Sequence, residues 1–406
     1  MTVAARHPYA FVSFARRPWA AVWQTWEYIL SRLAREHRVL YCSRVPQWDE
    51  VYRKLKAGQR PTSRPRRIAP NLVDLPPWAW LPGVRQVAGF DRLALSAYVM
   101  RMRSHLRRLG WDNRILYLWH PEMVDVVGRL NERLVCFHCY DTYADYTWLT
   151  EPMRREVSDQ LKRLLDRADL VFAAGEAMAA ALPRRDVHVV ANGVDYEPYA
   201  AAFKRAEPPP PEMAGLRHPI VAHVGRLHMD INFALVAEMA RRRRNWSVLL
   251  LGPVPGVLPP DQQAAFDEFR AQPNGYHIEG KPVADLPRYL CHVDVALMAY
   301  RTAAWVKTAS PLKFFEYLAA GKPCVGPPID EYRRYPEYVT TAETVEEWIA
   351  AIEYWLANDS ETWARKRMAL AKENSWDARC TQIIRIIDER LEGRTPSRAA
   401  RREARP

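Results

Sequence analysis

The sequence has few cysteines, and they are not spaced to bind metal or to form bridges. Six cysteines are scattered over 406 residues, with no disulfide framework and no zinc-binding spacing. No run approaches the roughly 20 apolar residues of a membrane span. Residues 1–23 lack the charged, apolar and small-residue order of a signal peptide. We therefore expect a cytoplasmic protein.

The composition is that of a globular protein with room for two domains. Hydrophobic residues make up 49% and charged residues 26% of the chain, which has a net charge of +12. Chains of this length usually divide into two cores. A basic surface attracts nucleic acid, anionic lipid or phosphorylated substrates, and charge alone does not choose among them. Because no nucleic-acid-binding module is recognisable and the charge is spread along both halves, we expect no nucleic acid partner.

Short apolar runs alternate with helical patterns along most of the chain. YAFVSFA, RVLYCS and RILYLWH in the first half, and PIVAHVG and SVLLL in the second, are typical strands. Strands that alternate with helices predict βαβ units around a parallel sheet. Continuous apolar strands fit a sheet that is covered on both faces. The sequence predicts an α/β fold with two Rossmann-like, doubly wound domains in tandem.

A proline-rich segment, EPPPPEM, interrupts the alternation and cannot continue a helix. We place one domain at 1–205 and the second at 206–375. A C-terminal helix at 376–393 is expected to pack back toward the first domain, and the basic stretch 394–406 has no periodicity and is interpreted as a disordered tail. In open sheets of this kind, ligands bind beyond the carboxyl ends of the strands.

One predicted helix, SPLKFFEYLAA, has the features of an anion site. Ser310 is a good N-cap and Pro311 a good first helical residue, so the free N–H groups of the first turn can bind an anion. Lys313 is unfavourable in this turn because of the helix dipole, and a diphosphate would remove that penalty. Glu316 lies on the same face, within reach of a ligand hydroxyl. The alternative interpretation is a plain Lys313–Glu316 surface pair.

This stretch, with VAHVGRL, WSVLLLGPV and ANGVD, resembles the GT-B glycosyltransferases related to family 4. The resemblance implies that the two domains face a cleft. A nucleotide diphosphate sugar, UDP in preference to GDP, would bind the C-terminal donor domain, and a carbohydrate or lipid-linked acceptor the N-terminal acceptor domain. By the same resemblance, Ser310 and Lys313 hold the diphosphate, Glu316 contacts the ribose and Arg226 assists. The resemblance also places Tyr300 and Lys281 beside the base and diphosphate.

Two positions depart from the family 4 pattern. Thr308 stands where the family has a glutamate that contacts the donor sugar, and Ile231 stands where it has a lysine. The donor sugar and the retaining stereochemistry of family 4 therefore stay open. The site is also similar to that of xanthan-type glucuronosyltransferases, whose phosphate lysine corresponds to Lys313. Their catalytic aspartate lies in a strand-end position comparable to that of Asp141, which would allow an inverting reaction.

Asp141 follows the predicted strand VCFHCYD, and Asp145 stands four residues further on. A carboxylate at the carboxyl end of a strand can take the proton of an acceptor hydroxyl. Asp141 is therefore our candidate base. The alternative is that it only caps the following turn.

Five further residues are candidates for the acceptor side. His120 and His138 lie near predicted strand ends and could hydrogen-bond an acceptor or a donor phosphate, although a lone histidine is more often structural. Arg16, Arg17 and Trp19 follow the first strand and could grip an acidic or lipid-linked acceptor, with an ordinary surface turn as the alternative. The aromatic stretch 20–30 could face a membrane, and core packing against the sheet explains its helical spacing at least as well. With the basic tail, it leaves open a peripheral contact with an anionic membrane at the inner face of the cell membrane.

No acidic pair such as Asp-x-Asp stands beside the proposed site, so we expect no essential metal. Two other functions use the same features. A sugar-nucleotide epimerase or hydrolase would need no acceptor, and an inactive scaffold would bind a sugar nucleotide without turnover.

Overall fold

A computed structural model describes residues 9–19, 23–59, 62–78, 80–83, 89–144, 149–205, 207–254, 256–301 and 312–394. The chain groups into two compact units. Unit 1 comprises Met1–Ala191 and Arg379–Pro406, and unit 2 comprises Asn192–Ala378. This division comes earlier than the boundary suggested by the proline-rich segment, because the helix Tyr196–Arg205 packs against helices of unit 2.

Unit 1 is built on an eight-stranded sheet of order β3-β4-β2-β1-β5-β6-β7-β8. Neighbouring strands are parallel, except that β3 is antiparallel to β4. The strands are β1 (Ala10–Ala15), β2 (Arg38–Ser43), β3 (Arg66–Ala69), β4 (Leu72–Asp74), β5 (Arg114–Leu118), β6 (Leu134–Cys139), β7 (Leu170–Ala173) and β8 (Val187–Val189). The helices are α1 (Thr25–Glu36), α2 (Trp48–Lys56), α3 (Phe90–Leu109), α4 (Glu151–Arg167) and α5 (Glu176–Ala181).

Unit 2 is built on a six-stranded parallel sheet of order β11-β10-β9-β12-β13-β14. Its strands are β9 (Ile220–Val224), β10 (Ser247–Leu251), β11 (Gly275–Ile278), β12 (Val295–Leu297), β13 (Cys324–Gly326) and β14 (Val339–Thr341). Its helices are α6 (Tyr196–Arg205), α7 (Phe233–Arg242), α8 (Pro260–Arg270), α9 (Leu286–Leu290), α10 (Leu312–Ala319), α11 (Val345–Asn358) and α12 (Glu361–Glu373). The last helix, α13 (Trp376–Arg394), starts in unit 2 and continues into unit 1.

The apolar strands of unit 2 bury side chains on both faces of the sheet. In β10, Leu249 and Leu251 pack into one cluster with Ala222 of β9, whereas Val248 and Leu250 pack into a second cluster on the opposite face. Side chains alternate between the faces of a strand, so a run without polar residues indicates a sheet with helices on both sides.

The predicted α/β fold with two parallel-sheet domains is confirmed by this architecture. The helix predicted at 310–320 is described as α10 from Leu312 to Ala319. Helix α2 and strands β3 and β4 were not predicted. None of the helices in the described residues combines the length and the apolar character needed to cross a bilayer.

Candidate functional site

The strand order of unit 2 reverses between β9 and β12. β10 and β11 lie on one side of β9, and β13 and β14 lie on the far side of β12. Such a reversal opens a crevice at the carboxyl ends of the two central strands, where ligands of open α/β sheets bind. β9 ends at Val224 and β12 at Leu297. Of the sequence candidates, Arg226 and Tyr300 lie on the two segments that leave these strands.

Two glycines allow a close approach at the end of β9. Gly225 has a φ of +139° and Gly252, which follows β10, a φ of +154°, a backbone region that other residues rarely adopt. A Cβ atom on Gly252 would lie 1.9 Å from the carbonyl oxygen of Gly225. A Cβ atom on Gly225 would lie 1.9 Å from Cε and 2.3 Å from Nζ of Lys313. The Lys313 side chain therefore lies directly across the carboxyl end of β9.

This packing predicts unequal costs for glycine substitutions. Gly252→Ala is expected to lower the free energy of unfolding by about 3 kcal/mol or more, because the clashing atom belongs to the backbone. Gly225→Ala should cost less, about 1–2 kcal/mol, because the end of Lys313 can swing away. Gly215→Ala is the control, since its Cβ would have no atom within 4 Å. Urea unfolding measures the free energy of unfolding of the three variants. Equal stability of the Gly252→Ala and Gly215→Ala variants would contradict the described packing.

Helix α10 is fixed to the sheet by Tyr317. Its fully buried hydroxyl accepts a hydrogen bond from the Val224 N–H at 3.0 Å and lies 3.2 Å from the carbonyl oxygens of Val224 and Leu297. Tyr317 stands four residues after Lys313 and so on the same face of the helix. This anchor therefore also sets the position of Lys313. Tyr317 was not predicted from the sequence, although a tyrosine at this spacing within an apolar helix was a usable signal.

Lys313 and Glu316 both lie half-buried at this end of unit 2. Burial acts to lower the pKa of Lys313, but Tyr300 and Glu316 raise it more, so its net pKa lies above the usual value and the side chain stays cationic. Burial raises the pKa of Glu316, and Lys313 partly opposes that rise. Within the described part of the chain, the Glu316 carboxylate has no hydrogen-bond or ion-pair partner. The close surface pair of the alternative interpretation is therefore not formed.

Of the other groups around the crevice, Arg226 adds a positive charge and His223 does not. Arg226 is exposed and directly follows Gly225. His223 is fully buried on β9, and burial, with a contribution from Lys313, lowers its pKa to about 3, so it is neutral. The His223 and Tyr300 rings meet edge to face, with their centroids 5.6 Å apart. The structure thus brings Arg226, Tyr300, Lys313 and Glu316 to one edge of unit 2.

Ile231 and Lys281, which the sequence pattern also singled out in unit 2, have surroundings that differ from those of the crevice residues. Ile231, at the place of the family 4 lysine, is fully buried in the core and forms an antiparallel bridge with Tyr300. Lys281 forms an ion pair with Glu212 and lies 5.9 Å from the centroid of the Tyr289 ring. A lysine at 231 would bury an unpaired charge, which explains why isoleucine suits this site. The binding role of Lys281 stays a prediction.

Ser310, Pro311 and Thr308, together with Asp145 of unit 1, lie outside the described residues.

In unit 1 the strand order reverses between β1 and β5. Arg16 follows β1 and His120 follows β5. Burial, with contributions from Arg16 and Arg44, lowers the pKa of His120 to about 3, so Arg16 lies near a neutral imidazole. The Nδ1 atom of His120 accepts a hydrogen bond from the Glu122 N–H at 3.2 Å and caps the 3-10 helix Pro121–Val126. His120 therefore has a structural role, and its contact with a ligand stays a prediction.

Arg17 and Trp19 are held by the strands and helix around them. A guanidinium nitrogen of Arg17 lies 3.5 Å from a carboxylate oxygen of Glu27, and its Cζ atom lies 5.2 Å from the centroid of the Trp26 ring. Glu27 is fully buried, and burial raises its pKa although Arg17 opposes the rise. Trp19 packs edge-on against Tyr41 with centroids 5.1 Å apart. These contacts fix the segment after β1, and its role toward an acceptor stays a prediction.

His138 and Asp141 differ sharply in their surroundings. His138 is fully buried, with Nδ1 2.9 Å from the Tyr117 hydroxyl and its ring stacked on Trp119. Burial lowers the pKa of His138 to about 3. Asp141 is half-buried after β6, and its Oδ1 atom accepts a hydrogen bond from the Thr142 N–H at 2.8 Å. That bond fits the turn-capping interpretation, and the role of Asp141 as base stays a prediction.

A family model described as glycosyl transferase-like matches residues 233–385. A Bacillus subtilis (strain 168) protein, TuaH, named for a role as a teichuronic acid biosynthesis glycosyltransferase, is 26% identical over 268 residues. That match covers 62% of this chain and 66% of TuaH, just under two thirds of its length.

Solved structures match nearly the whole chain. An Anabaena protein, Alr3699/HepE, in complex with UDP and glucose has a TM-score of 0.61 at 15% identity, covering 94% of this chain and 99% of its own. An alpha,alpha-trehalose-phosphate synthase (UDP-forming) from Burkholderia xenovorans, in complex with glucose-6-phosphate, has a TM-score of 0.64 at 10% identity, with 94% and 100% covered. The chain has the GT-B fold, and the resemblance to GT-B glycosyltransferases drawn from the sequence is confirmed. The narrower similarity to the xanthan-type enzymes stays a prediction.

Proposed function

We propose that the chain is a glycosyltransferase of polysaccharide or glycoconjugate biosynthesis. It transfers a sugar from a nucleotide diphosphate sugar, UDP in preference to GDP, to a carbohydrate or lipid-linked acceptor. The observation that carries this proposal is the Lys313 side chain lying across the carboxyl end of β9, where the strand order reverses. The UDP and glucose bound in the HepE neighbour and the biosynthetic role in the name of TuaH support it.

In this proposal unit 2 binds the donor. Lys313 and the exposed Arg226 hold the diphosphate and stabilise the negative charge that grows on it as the glycosidic bond breaks. Lys313 is held in place by the Tyr317 anchor, and such preorganisation avoids the cost of reorienting the cation during the reaction. Glu316 accepts hydrogen bonds from the ribose hydroxyls, and Tyr300 and Lys281 border the base and diphosphate. The site works without an essential metal.

Unit 1 binds the acceptor in this proposal. Arg16, Arg17 and Trp19 contact it beside β1, with His120 as a further candidate contact, whereas His138 is fully buried and is left out of the acceptor contacts. Asp141 takes the proton of the acceptor hydroxyl while the hydroxyl oxygen forms the new bond to the anomeric carbon. The nucleoside diphosphate leaves with the electron pair of the old bond.

We further propose a cytoplasmic protein that contacts the membrane surface. The observation that supports membrane contact is an apolar stripe on α2, formed by Trp48, Tyr52 and Leu55, which are 55%, 56% and 52% exposed. Their spacing places them on one face of the helix. Aromatic and aliphatic side chains on one face of an amphipathic helix can enter the head-group region of a bilayer. The stripe was not predicted from the sequence, in which residues 20–30 and the tail were the expected membrane contacts.

The proposal is tested by assaying nucleotide release from UDP- and GDP-sugars, with and without acceptors. The acceptors are neutral and acidic oligosaccharides and a polyprenyl-diphosphate-linked monosaccharide. We expect release of UDP that depends on an acceptor, persists in EDTA and is accompanied by a glycosylated product. The anomeric configuration of that product, read by NMR, distinguishes inversion from retention.

Each rival function gives a different result in the same assay. A hydrolase releases nucleotide without acceptor, and an epimerase converts the sugar nucleotide without releasing it. A scaffold binds UDP but turns over no donor. Any of these three results would replace the transferase proposal.

A further inference from the structure

A pocket of about 700 Å³ opens in unit 1 beside the segments that follow β1 and β2. We name it the arginine pocket. Among the described residues, two acidic ones, Glu50 and Asp74, line it, and Trp19, Pro76 and Pro77 form an apolar wall. The cationic residues that line it are Arg16, Arg17, Arg44, Arg53, Lys54, Arg64 and Arg66. The charge of the lining is therefore strongly positive.

The acidic residues of the lining do not neutralise it. Glu50 pairs with Arg44, and a carboxylate oxygen of Asp74 lies 3.2 Å from the Arg66 guanidinium. Lys54 and Arg64 are exposed, and in the described chain neither side chain has an ion-pair or hydrogen-bond partner. Two cations of the pocket thus remain available to a ligand.

A concave surface lined by one sign of charge concentrates the electrostatic potential and attracts the opposite charge. A guanidinium group presents its donors in a fork that matches the oxygens of a phosphate, and a lysine adds a compact positive charge. The pocket volume suits a ligand larger than a single phosphate ion. A solvated basic surface, by contrast, gains nothing from gathering its cations in one cavity.

Asp74 supplies a second, independent indication of a ligand. It is 5% exposed, and its Oδ1 atom has no hydrogen-bond partner among the residues that the structure describes. An orphaned buried acceptor costs free energy, and a hydroxyl group entering the pocket would satisfy it. Burial raises the pKa of Asp74 although Arg66 opposes the rise.

We propose that the arginine pocket binds a phosphate-bearing ligand that also carries a hydroxyl group, with Lys54 and Arg64 as phosphate contacts and Asp74 accepting from the hydroxyl. The pocket belongs to unit 1 and the proposed donor site to unit 2, and its identity as the acceptor site rests on the proposed function. Two sources share this chemistry: a soluble phosphate ester, and a phosphorylated lipid head group. Helix α2 carries both Lys54 and the apolar stripe, so the lipid source is tested directly.

The test measures binding of inorganic pyrophosphate by calorimetry to the full chain and its variants. The double variant Lys54→Ala/Arg64→Ala is expected to bind at least about tenfold more weakly, because it loses two charge-assisted contacts. The matched control is Lys56→Ala/Arg67→Ala, which removes the same charge from exposed neighbours outside the pocket lining. The control and Lys313→Ala are expected to retain pocket binding within about twofold.

Three results would overturn the proposal: no pyrophosphate binding by the wild type, equal losses in the two double variants, or loss in Lys313→Ala alone. The last result would place pyrophosphate at the donor site. The donor proposal fails separately, if Lys313→Ala leaves UDP affinity unchanged. Sedimentation with phosphatidylcholine vesicles, with and without phosphatidic acid, then assigns the source. If Lys54→Ala/Arg64→Ala loses more of the phosphatidic acid-dependent vesicle binding than the control does, the ligand is a lipid head group. If the two double variants bind these vesicles equally, the ligand is a soluble ester.

Discussion

Replacing Lys313 by alanine is expected to weaken UDP binding about thirtyfold. A charge-assisted hydrogen bond to a phosphate contributes roughly 2 kcal/mol, and that loss corresponds to about this factor. Lys313 is half-buried and anchored through Tyr317 on its own helix, so its charge is screened less than an exposed one. Arg226→Ala, which removes an exposed charge, should weaken binding only a few-fold, and that smaller effect should fall further in high salt.

The control for this prediction is Lys372→Ala, which removes an exposed positive charge elsewhere in unit 2. Calorimetric titration of UDP into the three variants measures the order of the effects. Unchanged affinity in Lys313→Ala, or an equal loss in Lys372→Ala, would mean that Lys313 does not hold the diphosphate.

Replacing Asp141 by asparagine is expected to reduce the rate of sugar transfer by about a hundredfold or more, while UDP affinity stays unchanged. General-base catalysis contributes roughly this much, and asparagine cannot accept the proton of the acceptor. The amide keeps an oxygen that can accept the hydrogen bond of the Thr142 N–H. The local turn should therefore survive, and the effect should fall on kcat.

The same substitution separates the two interpretations of Asp141. If Asp141 only caps its turn, Asp141→Asn keeps full activity, and Asp141→Ala loses stability instead. Asp159→Asn, at an exposed position of α4, controls for the lost charge. Initial rates with a saturating donor and thermal unfolding of the three variants distinguish the outcomes.

The fold was predictable because its strands are buried on both faces. Apolar runs such as SVLLL can be recognised as strands from the local sequence alone. Helix α2 was missed because it buries only Val51 and exposes Trp48, Tyr52 and Leu55, which reverses the usual pattern. A local signal was nevertheless present, since Gln47 and Glu50 form a capping box at its start.

The candidate site was only partly predictable. Lys313 and Glu316 share a short helix, and their spacing is visible in the sequence. The contact of Lys313 with Gly225 joins residues far apart in the chain, as does the bond between Tyr317 and Val224, and no local pattern encodes either. The arginine pocket has the same origin, because its cations come from the segments after β1 and β2, from α2, and from β3 and the segment just before it.

The most direct test of the donor site is a crystal structure of the chain with UDP bound. We predict a β-phosphate oxygen within about 3 Å of the Lys313 Nζ atom, above the carboxyl end of β9, with the ribose hydroxyls on Glu316. A UDP molecule whose diphosphate contacts neither Lys313 nor Arg226, for example one held in the arginine pocket of unit 1, would contradict the account.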